Sequence, residues 1–191
     1  MQLDNLSKQL EFIKEIDKIK YIQRKTRLFN SDRNENDAEH SWHLAVMALV
    51  LVEHSNEDID LLKVLKMVLI HDIVEIDAGD TFLFDSQRDD SKESEALAAR
   101  RIFGMLPEKQ AEEFMAIWEE FEEGSTPEAK FAHSLDRLEP VLQNDSNNGG
   151  TWAEHDVPHE KVIKKVSVMN NGSTILWSHA EKLIGRFYSE E

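Results

Sequence analysis

Leu69-Ile70-His71-Asp72-Ile73-Val74-Glu75, continuing through Ile76-Asp77-Ala78-Gly79-Asp80, is the stretch on which the reading of this chain turns. A very apolar segment ends in an imidazole beside a carboxylate, and further carboxylates follow within one or two helical turns. Ionisable groups so close to a core are costly unless something pairs with them, and a divalent metal is the usual partner. On a helix His71 and Glu75 share a face, while Asp72 sits about 100° round. A metal at the edge between those faces is reachable by His71 and Asp72 together, with Glu75 beside it.

The segment belongs to an expected helix of roughly residues 61–77, capped by Asp58 or Asp60 and stopped at Gly79. Before it, Asp37 is expected to cap a helix that begins Ala38-Glu39-His40 and is apolar on nearly all sides from Leu44 to Val52. Such a helix belongs in the middle of a bundle. Leu3, Leu6, Leu10, Ile13 and Ile16 predict an amphipathic helix over residues 3–19. Residues 24–36 lack periodicity and read as a loop carrying Arg24, Arg27 and Arg33.

Beyond the motif, residues 81–91 read as a polar loop, followed by helices near 92–103 and 107–123. Thr126-Pro127 opens another, with proline at its first position and with Phe131, Leu135 and Leu138 inside. Pro140 should kink or end it. Residues 144–157 read as an irregular, mobile loop, and helices near 158–169 and 173–188 close the chain. No period-2 strand, repeat or linker stands out. The expectation is an all-α fold, one compact helical bundle domain over 1–191, with its core at about 5–143 and C-terminal helices over 158–188.

The 191 residues include no cysteine, which excludes disulfides, thiolate zinc sites and cysteine nucleophiles and fits a reducing cytoplasm. The formal charge of −16 argues against a nucleic-acid polymer as partner. It leaves room for a small phosphorylated ligand, which needs only a few local cations. The N-terminus lacks the pattern of a signal peptide, and the longest apolar run is too short to span a bilayer.

Two further ligands are available on other apolar helices: His40, and Asp136 in Leu135-Asp136-Arg137-Leu138. Two imidazoles and two carboxylates make a mixed site for one divalent ion such as Mn²⁺, Co²⁺, Zn²⁺, Fe²⁺ or Mg²⁺. Each piece has a bland reading as a core histidine or a hydrogen-bonding aspartate, but together these require several coincidences. His43 and His133 fit packing or a hydrogen bond behind a ligand better than ligation itself. His54, His155, His159 and His179 read as surface residues. Glu119-Glu120 and Glu122-Glu123 read as a solvated face, and Trp152 as a loop anchor or a lid residue.

In this order, Glu39-His40-Ser41, His71-Asp72-x-x-Glu75-x-x-x-Gly79-Asp80 and Leu135-Asp136-Arg137-Leu138-Glu139 resemble the signature of HD-domain phosphohydrolases. More narrowly, they resemble the 5'-deoxynucleotidase branch, and Ile117-Trp118-Glu119-Glu120-Phe121-Glu122 is similar to its eukaryotic members. The resemblance covers about residues 5–143. It implies a nucleoside 5'-monophosphatase with one divalent metal on His40, His71, Asp72 and Asp136. It also implies a catalytic Glu75, and Asp80 in catalysis and in the substrate pocket. Arg24 is the best match to a substrate-binding arginine, with Arg33 a second candidate. Bacterial members have a tryptophan beside that arginine, tied to deoxyribose preference; Lys25 stands there in this chain. A homodimer is expected by analogy. The competing readings are action on a cyclic nucleotide or a guanosine polyphosphate, a di-iron oxygenase, and a nucleotide-binding module without turnover.

Overall fold

A computed structural model describes residues 2–85 and 91–189. Ten α-helices are described: α1 (Gln2–Glu15), α2 (Asp37–Leu51), α3 (Leu61–Ile70), α4 (Glu75–Ala78), α5 (Ser91–Phe103), α6 (Glu108–Glu123), α7 (Pro127–Ser146), α8 (Gly150–Glu154), α9 (His159–Val166) and α10 (Thr174–Ser189). A short antiparallel ribbon joins them, β1 (Gln23–Arg27) with β2 (Asn34–Asn36). The all-α expectation therefore holds for the body of the fold, and the ribbon is an addition to it. Its strands, Gln-Arg-Lys-Thr-Arg and Asn-Glu-Asn, carry no apolar alternation, so period-2 patterning could not reveal them. Of the expected loop at 81–91, residues 86–90 lie outside the described residues.

The core forms where α7 packs against α2, α3, α6 and α10. Leu44 from α2, Val64 and Met67 from α3, and Phe131 and Leu135 from α7 are fully buried. Dispersion and removal of apolar area from water hold these helices in register, and polar groups on the same elements share that depth.

Four local expectations need correction. The α2 cap is Asn36, whose Oδ1 accepts from the Glu39 amide at 3.0 Å while Glu39 Oε2 accepts from the Asn36 amide at 3.2 Å. This reciprocal box frees Asp37 to turn inward, where it is fully buried. α2 is not surrounded by protein: Trp42, Val46, Leu49 and Val50 are exposed on its outer side. On α1, Leu3, Leu6, Leu10 and Ile13 are likewise exposed, and Phe12 is the residue that reaches the core. α7 runs through Pro140 to Ser146, and α8 then occupies part of the expected loop. The helix survives the proline because Val141, Gln143 and Asn144 are buried beyond it; the missing N–H leaves the Asp136 carbonyl without its helical donor.

Asp60 caps α3, accepting from the amides of Leu62 at 2.9 Å and Lys63 at 3.4 Å. α3 then tightens into a 3-10 turn at His71–Val74, and α4 ends at Gly79 with φ of 78°. That backbone region suits glycine. The tightening turns both His71 and Asp72 into the protein. Among the described residues no helix is long and apolar enough to cross a membrane.

Candidate metal centre and its cavity

Three elements deliver the four expected ligands to one place: the first turn of α2 (His40), the 3-10 turn after α3 (His71, Asp72) and the middle of α7 (Asp136). Each is buried. His40 Nε2 lies 3.1 Å from Asp136 Oδ1 and 3.9 Å from Asp72 Oδ2. His71 Nε2 lies 3.1 Å from Asp72 Oδ1 and 3.8 Å from Asp136 Oδ1. Ligand atoms of His40, His71 and Asp72 fall within 4.8 Å of one another, close enough to hold one ion.

The imidazoles are oriented for that task. His71 Nδ1–H donates to the Val68 carbonyl at 3.1 Å, which points Nε2 into the cluster. There Nε2 is buried and makes no aligned hydrogen bond. Two imidazole nitrogens aimed at two carboxylates, without an aligned hydrogen bond from His71, call for positive charge between them, so the donor set fits a divalent metal. His40 Nδ1–H donates to Glu139 Oε2 at 2.9 Å, likewise aiming Nε2 at the carboxylates. Glu139 also accepts from His43 Nδ1 at 3.1 Å and from Gln143 Nε2 at 2.8 Å. His43 thus braces Glu139, in keeping with the hydrogen-bonding role expected for it. His133 donates from Nε2 to the Phe121 carbonyl at 2.8 Å and stacks on that ring, a packing role.

The electrostatics describe a pocket that demands positive charge. Burial pulls His71 down, but the Asp72 and Asp136 carboxylates outweigh it and push its pKa up to about 9. Burial and Arg24 likewise oppose protonation of His40, yet Glu139 and Asp136 raise it well above the ordinary value. Burial opposes ionisation of Asp136, but Arg137 and the two imidazoles hold it well below the usual range. A metal ion held by these residues would take the place of those imidazole protons and neutralise the same carboxylates.

Arg24 on β1 bounds the cluster on one side. Its Nη1 donates to Asp72 Oδ2 at 2.9 Å and to Asp37 Oδ1 at 3.5 Å, and its Nε lies 3.8 Å from Glu35. Beyond it, Glu75 is held well above its ordinary pKa by burial and by the Asp72 and Asp37 carboxylates. Burial and Asp72 raise Asp37 to about 7. Burial and the neighbouring carboxylates thus favour the protonated form of Glu75.

A cavity of about 280 Å³ opens onto this cluster, lined by Arg24, Lys25, His71, Asp72, Glu75, Asp80 and Asp136. Phe82, Leu83, Phe84, Trp152 and Val166 supply its apolar walls. Arg33 is not part of that lining: it forms a two-pronged pair with Glu39 on the surface, at 2.8 and 3.0 Å. The α2 capping box accounts for this, because it fixes Glu39 outside and Arg33 follows it.

Sequence reading passed over Asp37, Glu35 and Glu139. Asp37 is three residues before His40 and Glu139 three after Asp136, so each shares a helical face with a ligand; that spacing was the available signal. Replacing Glu139 by glutamine should weaken divalent-metal affinity about 10–100-fold, because the carboxylate orients His40 and raises its basicity. Calorimetric titration with Mn²⁺ checks this, and an unchanged affinity would mean that His40 is oriented without Glu139.

The comparisons agree with this geometry. The HD domain family matches residues 16–177. The 5'-deoxynucleotidase HDDC2 of Bos taurus is 33% identical over 137 residues, covering 70% of this chain and 65% of the bovine protein. The human protein of that name is 31% identical over the same shares of each chain. The chain thus matches 65% of the length of these two curated relatives, less than two thirds. Among solved structures, a predicted metal-dependent phosphohydrolase from Magnetospirillum magnetotacticum MS-1 superposes with a TM-score of 0.94 at 47% identity, covering 97% of this chain and 94% of that one. The PH0347 protein of Pyrococcus horikoshii OT3, at 24% identity and a TM-score of 0.68, shares the fold, with 93% and 99% coverage. With its His40, His71-Asp72 and Asp136 gathered at one point and the family match spanning most of its length, this chain belongs to the HD domain family.

Proposed function

We propose that the chain is a metal-dependent phosphomonoesterase that hydrolyses nucleoside 5'-monophosphates, with deoxynucleotides among its substrates. The observation that carries this reading is the convergence of the buried Nε2 atoms of His40 and His71 on the Asp72 and Asp136 carboxylates, beside a guanidinium at the edge of a cavity of about 280 Å³. The names of the bovine and human relatives support the substrate class.

In this reading His40, His71, Asp72 and Asp136 hold one divalent ion. When bound, that ion supplies positive charge to the phosphoryl oxygens and acidifies water. Arg24 pairs with a phosphate oxygen, exchanging part of its contact with Asp72 for the substrate. Attack by a water oxygen on phosphorus breaks the bond to the 5'-oxygen, and the departing alkoxide needs a proton. Glu75 at the cavity wall, where burial favours its protonated form, donates that proton, and Asp80 helps to position the substrate and to relay the proton onward. Lys25 lies at the sugar, and Phe82 and Trp152 shield the nucleoside from water. Arg33 takes no part. A second copy of the chain covers the outer apolar faces of α1 and α2, making a homodimer, and the protein works in the cytoplasm.

The test is to strip the protein with chelator, add back Mn²⁺, Co²⁺ or Mg²⁺, and measure phosphate release from a panel of nucleoside monophosphates, with chromatography of the nucleotide products for a cyclic nucleotide and a guanosine polyphosphate. Release from the monophosphates is expected. Metal-loaded protein that releases phosphate from none of them overturns the reading.

A further inference from the structure

Asp136, Pro140 and Asn144 lie along one side of α7, and all three line the cavity. Eight residues of helix separate the metal-cluster end from Asn144, a rise of about 12 Å. That matches the reach of a nucleoside monophosphate from its phosphorus to the far edge of its base.

Asn144 is nearly fully buried, at 3% exposure. Its Oδ1 accepts from the Thr151 amide at 2.9 Å and from the Thr151 hydroxyl at 3.1 Å. A backbone N–H is an obligate donor, so the chemistry itself assigns the carboxamide: oxygen toward Thr151, nitrogen away from it. The turn locks this arrangement. Gly149 has φ of +94° and donates its amide to the Asn144 carbonyl at 2.8 Å, and a Cβ on Gly150 would stand 2.4 Å from Oδ1. Only glycines let the chain close on the carboxamide. Among the described residues Nδ2 has no acceptor, although its residue forms part of the cavity wall. The NH₂ is not a buried unpaired group: it keeps access to water, and a donor fixed in direction at the end of a cavity offers itself to an acceptor on the ligand.

Resting on the nucleotide reading above, we propose that Asn144 reads the base, donating from Nδ2 to a ring carbonyl. Keto bases, which present an oxygen at their outer edge, are favoured over amino bases, which present a second donor there. A turn-capping role alone is the competing account, and Asn144→Asp separates the two. The aspartate keeps an acceptor for Thr151 but puts an acceptor where the NH₂ stood.

The experiment compares kcat/KM for thymidine 5'-monophosphate and deoxycytidine 5'-monophosphate, in wild type and Asn144→Asp, with Tm measured alongside. In wild type thymidine monophosphate should be favoured by about tenfold, and in the variant that ratio should fall to one or below, while Tm drops because the new carboxylate is buried. General repulsion from the added charge affects both substrates alike and leaves the ratio alone. An unchanged ratio in the folded variant overturns the proposal. If the variant does not fold, the wild-type ratio decides, together with competitive inhibition by thymidine against deoxycytidine: a ratio near one, with equal inhibition, overturns it. Equal turnover of both nucleotides refutes base reading by Asn144 and leaves the nucleotidase reading standing. Hydrolysis of an aryl phosphate but of no nucleoside monophosphate refutes the nucleotidase reading itself.

Discussion

Asp72→Ala should purify without bound metal and should lose phosphate release by about a thousandfold or more, the scale of charge stabilisation that a bound ion supplies. Asp72 carries so large an effect because both of its oxygens are in use. Oδ1 stands 3.1 Å from His71 Nε2, and Oδ2 receives Arg24 at 2.9 Å. Removing it deletes one proposed ligand and leaves Arg24 only its longer contacts with Asp37 and Glu35. Thermal unfolding gives a readout independent of turnover. A ligand that binds only the native state adds about 2.7 kcal/mol at a hundred times its Kd. Mn²⁺ should therefore raise the Tm of wild type and leave that of Asp72→Ala where it was. An equal Tm rise in both proteins would place the metal elsewhere.

Arg24→Ala carries the second large effect, this time on the fold as well as on substrate binding. The guanidinium sits among Glu35, Asp37 and Asp72, with Glu75 nearby, and its side chain is 14% exposed. Taking one partner out of a buried ionic cluster leaves the others uncompensated, at a cost of about 3–5 kcal/mol. Urea unfolding of the chelator-stripped protein should show that loss, together with a raised KM where turnover survives. Arg24→Lys should recover part of the stability but less of the binding, because an ammonium lacks the planar fork that spans two acceptors. Arg33→Ala is the internal control: its ion pair with Glu39 is on the surface, so the urea midpoint should stay close to that of wild type.

The contrast between these two arginines marks how far the sequence was legible. His40, His71, Asp72 and Asp136 could be picked out because an ionisable group on an apolar helix is conspicuous, and the structure brings all four together. Arg24 and Arg33 looked alike in a stretch without periodicity. What separates them is the β1–β2 ribbon, which runs Arg24 inward, and the Asn36–Glu39 box, which draws Arg33 outward. Both depend on pairings between polar residues, which leave no apolar pattern to read. Asp37 was hidden for a related reason, since an aspartate just before a helix ordinarily caps it. Its burial follows from Asn36 having taken that role. The apolar length of α2 also misled. Hydrophobicity reports that a face avoids water but not what covers it, and Trp42, Leu49 and Val50 face away from this chain's own core.

The account's central claim is a division of labour: four residues hold the metal and Glu75 handles the proton. It is tested most directly by measuring metal content and phosphate release on one preparation of Glu75→Gln, loaded with Mn²⁺ after chelator treatment. The carboxamide keeps the shape of the neutral acid but cannot give up a proton to the leaving oxygen. The account predicts about one equivalent of metal, as in wild type, with turnover reduced about 10²–10⁴-fold. Loss of the metal would make Glu75 a ligand, and undiminished turnover would remove it from the chemistry; either result contradicts the account.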